Sequence, residues 1–389
     1  MTVRLSRPSS RAARLGALTW CFASVVDPAR AQIVRDLPPA LQVAADQFSE
    51  IAAIRELNDG RVLVADRRER RFLVLDREGR STAQLGRSGS GPDEYRSASG
   101  IQPLSGDTSL LLDGTLRRWS LLDGTEFAAA SSHLRDLAVA NGTMLLGADA
   151  NGRVLVARGV RFSAEMRRLP GVGQVDAAET ADSLALLLIG LHDRRVDTVV
   201  QLRGRFRGVR MVDRVVRGVR IRYYLANPLG VEEQGRLFAD GWIAVAWQAP
   251  YRVDWRRPDG QWIRGVPLPF HPVRVDDREK QFAIQRVWRG AEGVDWQSSA
   301  FPNWPEFLPP FLNEALLSAP DGRLLVQRTA SAMSPHMMYD VVDRRGRLSF
   351  TVRLLRSERL VGSGNRGVYV AARSNDGLES LRLHPWFRD

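Results

Sequence analysis

An all-β chain folded as a six-bladed β-propeller is predicted by three observations. Residues 48–96 read as four short strands in succession. A turn followed by an apolar strand then recurs, six copies in all. Where the spacing is regular, the turn glycines 60, 106 and 152 stand 46 residues apart, and 322 to 367 is 45. A four-stranded antiparallel blade takes about 40–45 residues, so the period fits one blade per copy.

The chain opens with a stretch that reads as a secretory signal peptide, residues 1–31. Arg4, Arg7, Arg11 and Arg14 form a positive head, and Leu15 to Val26 is an apolar run too short to span a bilayer comfortably. Ala29-Arg30-Ala31 is a small-residue cleavage site that leaves Gln32 first. A buried segment or a retained anchor is the alternative. Cys21 is the only cysteine and is preceded by Trp20, where a lipid-attachment signal wants a small residue. Cleavage therefore leaves a chain with no cysteine, suited to an oxidising compartment but held by no disulfide.

Removing residues 1–31, which carry five arginines and one aspartate, lowers the net charge from +12 to +8. Lys280 is the only lysine, so 55 of the 56 basic residues are arginine. A GC-rich coding bias explains that more simply than a basic ligand site, and no nucleic-acid partner is expected. Residues 32–389 are long enough for one large closed domain. No other stretch is apolar enough to cross a membrane, and a monomer is expected.

The first blade is the clearest. Ile51 to Leu57, Arg61 to Asp66, Phe72 to Asp76 and Ser81 to Leu85 are its strands, with Asn58-Asp59-Gly60 and Glu78-Gly79 as turns. The unit Asp59-Gly60 with Val62-Leu63-Val64 returns as Asn151-Gly152, Asp240-Gly241 and Asp321-Gly322, each before an apolar strand. Weaker copies start at Gly106-Asp107 and Asn365-Arg366-Gly367. The intervals 152 to 241 and 241 to 322 are nearly double, which predicts insertions in two blades, since 275–311 looks unlike a blade. After Gly367 the chain has room for only two more strands. The last blade must then borrow its fourth from Ile33 to Ala45, because an open ring leaves blade faces in water.

The run Leu57-Asn58-Asp59-Gly60, Leu73-Val74-Leu75-Asp76-Arg77-Glu78-Gly79 and Gly89-Ser90-Gly91-Pro92-Asp93-Glu94-Tyr95 resembles bacterial six-bladed β-propellers of the NHL/TolB-like group. The likeness covers residues 48–96 most fully, and residues 200–235 and 275–311 depart from it most. It implies the six-bladed fold and an extracytoplasmic setting, secreted or periplasmic, and says little about activity.

Four stretches carry candidate chemistry. Glu94 can accept backbone N–H bonds within the Gly89–Tyr95 junction, or serve a ligand. Arg203, Arg205 and Arg207 alternate and so share one face of a strand, either an anion-binding patch or a charged edge protected from aggregation. Residues 275–289 predict a short helix, capped at Asp276 with Glu279 three later. Trp296, Phe301, Trp304, Phe307 and Phe311 follow among prolines, and their rings either stack on a sugar or peptide or pin the loop to the blades. Trp296 and Trp304 are the ligand candidates. The Gly362–Gly367 run fits a dinucleotide fingerprint in letters only, because a strand follows it.

His133, His192, His271, His336 and His384 are scattered, with no H-x-H pair, no H-E-x-x-H and no G-x-S-x-G. No cofactor or metal is implied. A secreted or periplasmic binding module for a protein, peptide or carbohydrate is the expected function. The alternative is a propeller hydrolase or lyase, lactonase-like or metal-dependent, with its site in the central channel.

Overall fold

The structure, a computed structural model, describes residues 32–388 apart from 92, 117, 129–142, 160–182, 194, 204–208, 217, 231–232, 289–295 and 302. The signal-peptide stretch, His133, Arg205 and Arg207 therefore lie outside the described residues. Of Arg203 only the backbone is described.

Six sheets form the six blades, five of four strands and one of five, and the six recurrent turns each precede a blade's second strand. Blade 1 runs Ile51–Glu56, Val62–Asp66, Arg71–Leu75 and Ser81–Leu85, antiparallel and in sequence order. Its second strand is apolar up to its final Asp66 and wholly buried, as expected of a sheet covered on both faces. The inner strands of blades 2 to 6 are Gly100–Pro103, Thr143–Ala148, Gln234–Leu237, Phe311–Ser318 and Glu358–Gly364. They neighbour one another around a closed circle, and the last lies beside Ile51–Glu56 of the first.

Local chemistry explains why the turns recur. Gly60, Gly152, Gly241 and Gly322 hold φ between 72° and 86°, the left-handed region that glycine takes at no steric cost. Asp59, Asp149 and Asp321 accept the backbone N–H of Arg61, Arg153 and Arg323 at 2.8–3.0 Å, closing each turn. A second device sits at the other end of the strand. Asp66 ends strand two of blade 1 and accepts the N–H groups of Ser49 and Glu50, where the chain turns into strand one. Asp113 does the same for Arg96 in blade 2.

Tyrosine hydroxyls tie blade to blade. Tyr251 donates to Asp340 of the next blade at 2.8 Å, and burial together with that carboxylate holds its phenol well above the usual range. Tyr339 accepts the N–H of Leu360, and Tyr369 donates to Glu56 of blade 1 at 2.7 Å. The last of these bonds crosses the closure of the ring.

The N-terminal segment does more than the sequence suggests. Gln42–Phe48 supplies the outer strand of blade 6, pairing antiparallel with Glu379–His384, three residues further along than Ile33 to Ala45. The shift follows burial: Phe48 is fully enclosed among Ile51, Tyr369 and Leu381, and it draws the strand's end inward. Before it, Val34–Asp36 adds a fifth, parallel strand to blade 5. There Asp36 meets Arg353 in a two-pronged ion pair at 2.8 Å, and Arg35 lies 4.6 Å above the ring of Phe350.

Both long intervals are insertions. Between blades 3 and 4 stands a separate hairpin, Val209–Val216 with Val219–Ala226. Between blades 4 and 5 come the helix α1, Asp277–Trp288, and the aromatic loop. Asp276 caps α1 by accepting the N–H of Glu279 at 2.9 Å. No helix among the described residues is long and apolar enough to cross a membrane.

Candidate functional site

Strand direction decides which features share a face. Each inner strand runs from one end of the channel to the other, and its turn glycine marks the far end. The connections from one blade's fourth strand to the next blade's first all return to the near end, as do the loops between strands two and three. The Gly89–Tyr95 junction, the Val209–Ala226 hairpin, α1 and the aromatic loop all fall there. Arg203, the final residue of blade 3's outer strand, ends on the same face. Glu94, Trp296, Trp304 and Arg203 are thus brought to one end of the propeller, on three different inter-blade connections.

The two insertions build a common apolar core on that face. Leu225 of the hairpin packs with Ile284 of α1, Trp296 and Phe301, and Val212 and Trp304 border the cluster. A second cluster joins Leu229, Ala283 and Leu308, with Val275, Trp304 and Leu312 around it. Trp296 is only 2% exposed, and its ring meets Phe301 edge-on at 6.3 Å between centroids. Trp304 lies half-buried between the two clusters, edge-on to Phe301, and donates its indole N–H to the carbonyl of Ser298 at 2.9 Å. Phe307, further along, stays 43% exposed. Backbone bonds from Val275 to Glu306 and from Leu308 to Val273 fasten the loop across its base.

Glu279 latches this cap onto blade 5. It does not reach back to Asp276 as a full capping box would. Its buried carboxylate instead accepts the hydroxyl of Ser331 at 2.5 Å and the N–H of Ala332 at 2.9 Å, in the loop between strands two and three. Arg356 completes the latch, with its guanidinium 4.3 Å from the centre of the Phe282 ring and bonds to the carbonyls of Ser331 and Ala332. The sequence of α1 predicts Phe282, Ile284, Val287 and Trp288 on its packed face; Phe282 is half-buried and Ile284 buried, and the side chain of Trp288 lies outside the described residues. Val287 is exposed.

Beneath the cap, blade 5's inner strand bulges. Its register shifts between Phe311 and Leu316, Glu314 takes a φ of 63°, and Asn313 and Glu314 remain exposed. Gln234 of blade 4 stabilises the bulge, donating to the carbonyl of Leu312 at 2.6 Å and accepting the N–H of Ala315 at 3.1 Å. A non-glycine residue in the left-handed region costs roughly 1–3 kcal/mol, and this amide clip helps hold it. Gln234 carries no motif that would single it out in the sequence.

Glu94 takes the backbone role open to it. Its Oε2 accepts the N–H groups of Ser90 and Gly91 at 2.9 and 2.8 Å, and Oε1 accepts Arg87 Nε at 2.8 Å. A Cβ at Gly89 would collide with this carboxylate, which explains glycine there. Those three donors hold the carboxyl below its ordinary range, the Gly91 N–H contributing most. A depressed carboxyl stabilises the fold above its unfolded pKa, and the gain disappears as pH falls through the folded value. Glu94→Gln should therefore melt below the parent at pH 7, with the difference shrinking as pH falls toward 3. Equal melting of the two at pH 7 would contradict this role.

The described histidines do not converge. His192 lies against the turn glycine Gly152, His271 is exposed, and His384 bonds the carbonyl of Pro38 at 2.8 Å through Nδ1. Among the described residues no three His, Cys, Asp or Glu side chains gather in a way that could hold a metal ion.

The fold defines a six-bladed β-propeller. Residues 45–103 match the DUF5128 family model, described as a 6-bladed beta-propeller. Three solved structures align over nearly their whole length. One is a Bacteroides fragilis protein described as exported, at 10% identity and a TM-score of 0.47, covering 92% of this chain and 99% of that one. The second, from Bacteroides vulgatus, is a member of the DUF4221 family, at 8% identity, TM-score 0.45 and coverage of 91% and 98%. The third is a calcium-binding protein, regucalcin, from Agrobacterium tumefaciens, at 10% identity, TM-score 0.42 and coverage of 92% and 97%. None of the curated proteins matches the chain in sequence.

Proposed function

We propose that this protein is an exported β-propeller of the NHL/TolB-like kind. On this reading it works, secreted or in the periplasm and as a monomer, as a binding module for a peptide or carbohydrate. Residues 1–31 serve as its signal peptide and 32–389 as one propeller domain. The observation that carries the reading is the joining of two insertions into one cap on a single face. Blades bury their flat faces on each other, so recognition falls to the loops at the channel ends. Chain inserted at two separate blade junctions, packed into a shared core and latched by Glu279, makes a fixed surface that ring closure does not need. Trp304 and Phe307 are the rings this surface offers for stacking, while Trp296 holds the loop from beneath. Arg203, Arg205 and Arg207 add positive charge where blade 3 gives way to the hairpin. No observation favours the hydrolase or lyase reading over this one.

Two measurements test it. The N-terminus of the exported protein should be Gln32, and an uncleaved chain would remove the export part. Glycan and peptide arrays probed with the full chain should yield a ligand whose affinity falls roughly tenfold in Trp304→Ala or Phe307→Ala. Absence of any ligand in both classes, or a ligand indifferent to both changes, would overturn the binding part.

A further inference from the structure

The channel wall at the end away from the cap holds an arginine without a counter-charge among the described residues. Arg236 lies on the inner strand of blade 4, two residues before Phe238, whose N–H closes the turn onto Trp242. Its flanking residues Gly235 and Leu237 are buried, yet Arg236 itself is only half-buried. Because the blade faces are packed, the open part of an innermost residue can only look into the channel. Its surroundings withdraw water all the same: desolvation alone pushes the guanidinium down to about 10 from its usual value, with no carboxylate acting on it. Glu233, three residues earlier and buried, makes no ion pair with it.

The guanidinium has one bond, from Nε to Ser318 Oγ of blade 5 at 3.4 Å, and both Nη groups lack a partner among the described residues. Ser318 is set in place by its neighbour, since Ser363 of blade 6 donates its hydroxyl to the Ser318 carbonyl at 2.7 Å. The Ser318 hydroxyl hydrogen remains free to donate beside the two Nη groups. The same level of the ring carries more donors. Arg55 of blade 1, opposite blade 4, and Gln102 of blade 2 occupy the matching position two residues before Leu57 and Leu104, which close their turns. Arg55 is also desolvated; its Nη2 donates to the Gly106 carbonyl at 2.5 Å, while its Nε is buried without a partner among the described residues, and the Gln102 amide lies at the same level.

We propose that Arg236 and Ser318 form an oxyanion-binding site in the channel wall between blades 4 and 5, taking the carboxylate or phosphate group of a small ligand. The two Nη groups present the fork that suits a pair of oxygens, and the serine hydroxyl adds a third donor at an angle to it. A desolvated guanidinium without a partner costs the fold stability, and a bound anion removes that cost. The site is separate from the capped face and does not depend on what that face binds.

Titration calorimetry and melting of the full chain, at fixed ionic strength, with inorganic phosphate and with acetate test this. Saturable binding of at least one is expected, with a melting rise of about 4 °C at a ligand concentration about a hundredfold above Kd. Phosphate alone points to a phosphoryl ligand, and acetate alone to a carboxylate. Arg236→Gln should weaken binding at least roughly tenfold and Ser318→Ala by about fivefold, both without ligand-free destabilisation. Should Arg236→Gln not fold, Arg236→Lys, which keeps the charge but loses the fork, should weaken binding in its place. No saturable binding of either anion, or binding unchanged in the folded variants, would overturn the site.

Discussion

Deleting residues 33–48 should lower the melting temperature by about 10 °C or more, the largest effect expected of any short deletion in this chain. The segment supplies the whole outer strand of blade 6 and an added strand on blade 5. It also bonds to blade 1, where Ala45 donates to the Gly79 carbonyl and Asp46 accepts the N–H of Ser81 at 2.7 Å. Without it, blade 6 shows a bare edge and the core around Phe48 opens. The point change Phe48→Ala isolates the packing part. A fully buried phenylalanine cut to alanine costs about 3–5 kcal/mol, so this variant alone should shift the denaturant midpoint clearly. Melting unchanged by the deletion would mean that the ring does not rely on this strand.

Trp296→Ala should free the cap while leaving the ring closed. The side chain joins three pieces of chain: the hairpin through Leu225, α1 through Ile284 and the loop through Phe301. Cutting a buried tryptophan to alanine costs about 3–5 kcal/mol where the site cannot collapse. That cost falls on a sub-structure with its own core, so it should appear as local opening. Hydrogen exchange is the measurement: amides of Asp277–Trp288 should lose protection, while those of Val62–Asp66 and Gly367–Arg373 keep theirs. If α1 keeps its protection, Glu279 and Arg356 hold the cap without the tryptophan, and the shared core is not what fixes it. If the blades lose theirs as well, cap and ring unfold as one unit.

The parts of this protein legible in its sequence are those set by neighbours along the chain. Asp59-Gly60 gives a turn because aspartate bonds the N–H two residues on and glycine accepts positive φ. Blade 1's four strands fall within a residue of where their apolar runs place them, and the Asp276 cap marks the start of α1. The binding of Ser90 and Gly91 by Glu94 is also local, which is why the option could be read from spacing. The candidate site is a different matter. Nothing near Trp296 in sequence indicates that Leu225 will pack on it, because that contact depends on two insertions folding over the same channel end. Nor does anything in the sequence say that Val209–Val216 pairs with its own continuation after Gly218 as a separate two-stranded sheet among the described residues. Glu279 was legible as a helix-start residue, yet its carboxylate serves a loop 52 residues away. Arg236 was lost among 55 arginines, because its lack of a counter-charge among the described residues is a tertiary property.

The N-terminal strand also fixes an order of events. Gln42–Phe48 leaves the ribosome well ahead of its partner Glu379–His384. At synthesis rates of about 5–20 residues per second, the early strand waits on the order of tens of seconds for its mate. Throughout that interval five blades can form from contacts local to each, but the sixth cannot, and the chain stays an open arc with two unsatisfied ends. The final pairing joins segments far apart in the sequence, the kind of contact that slows folding most. Residues that guard the waiting ends, among them the exposed Leu41 and Val43, therefore influence how much chain reaches the closed form rather than how firmly it stays there. Yield on refolding, more than the melting temperature, is the quantity that changes at those positions would move.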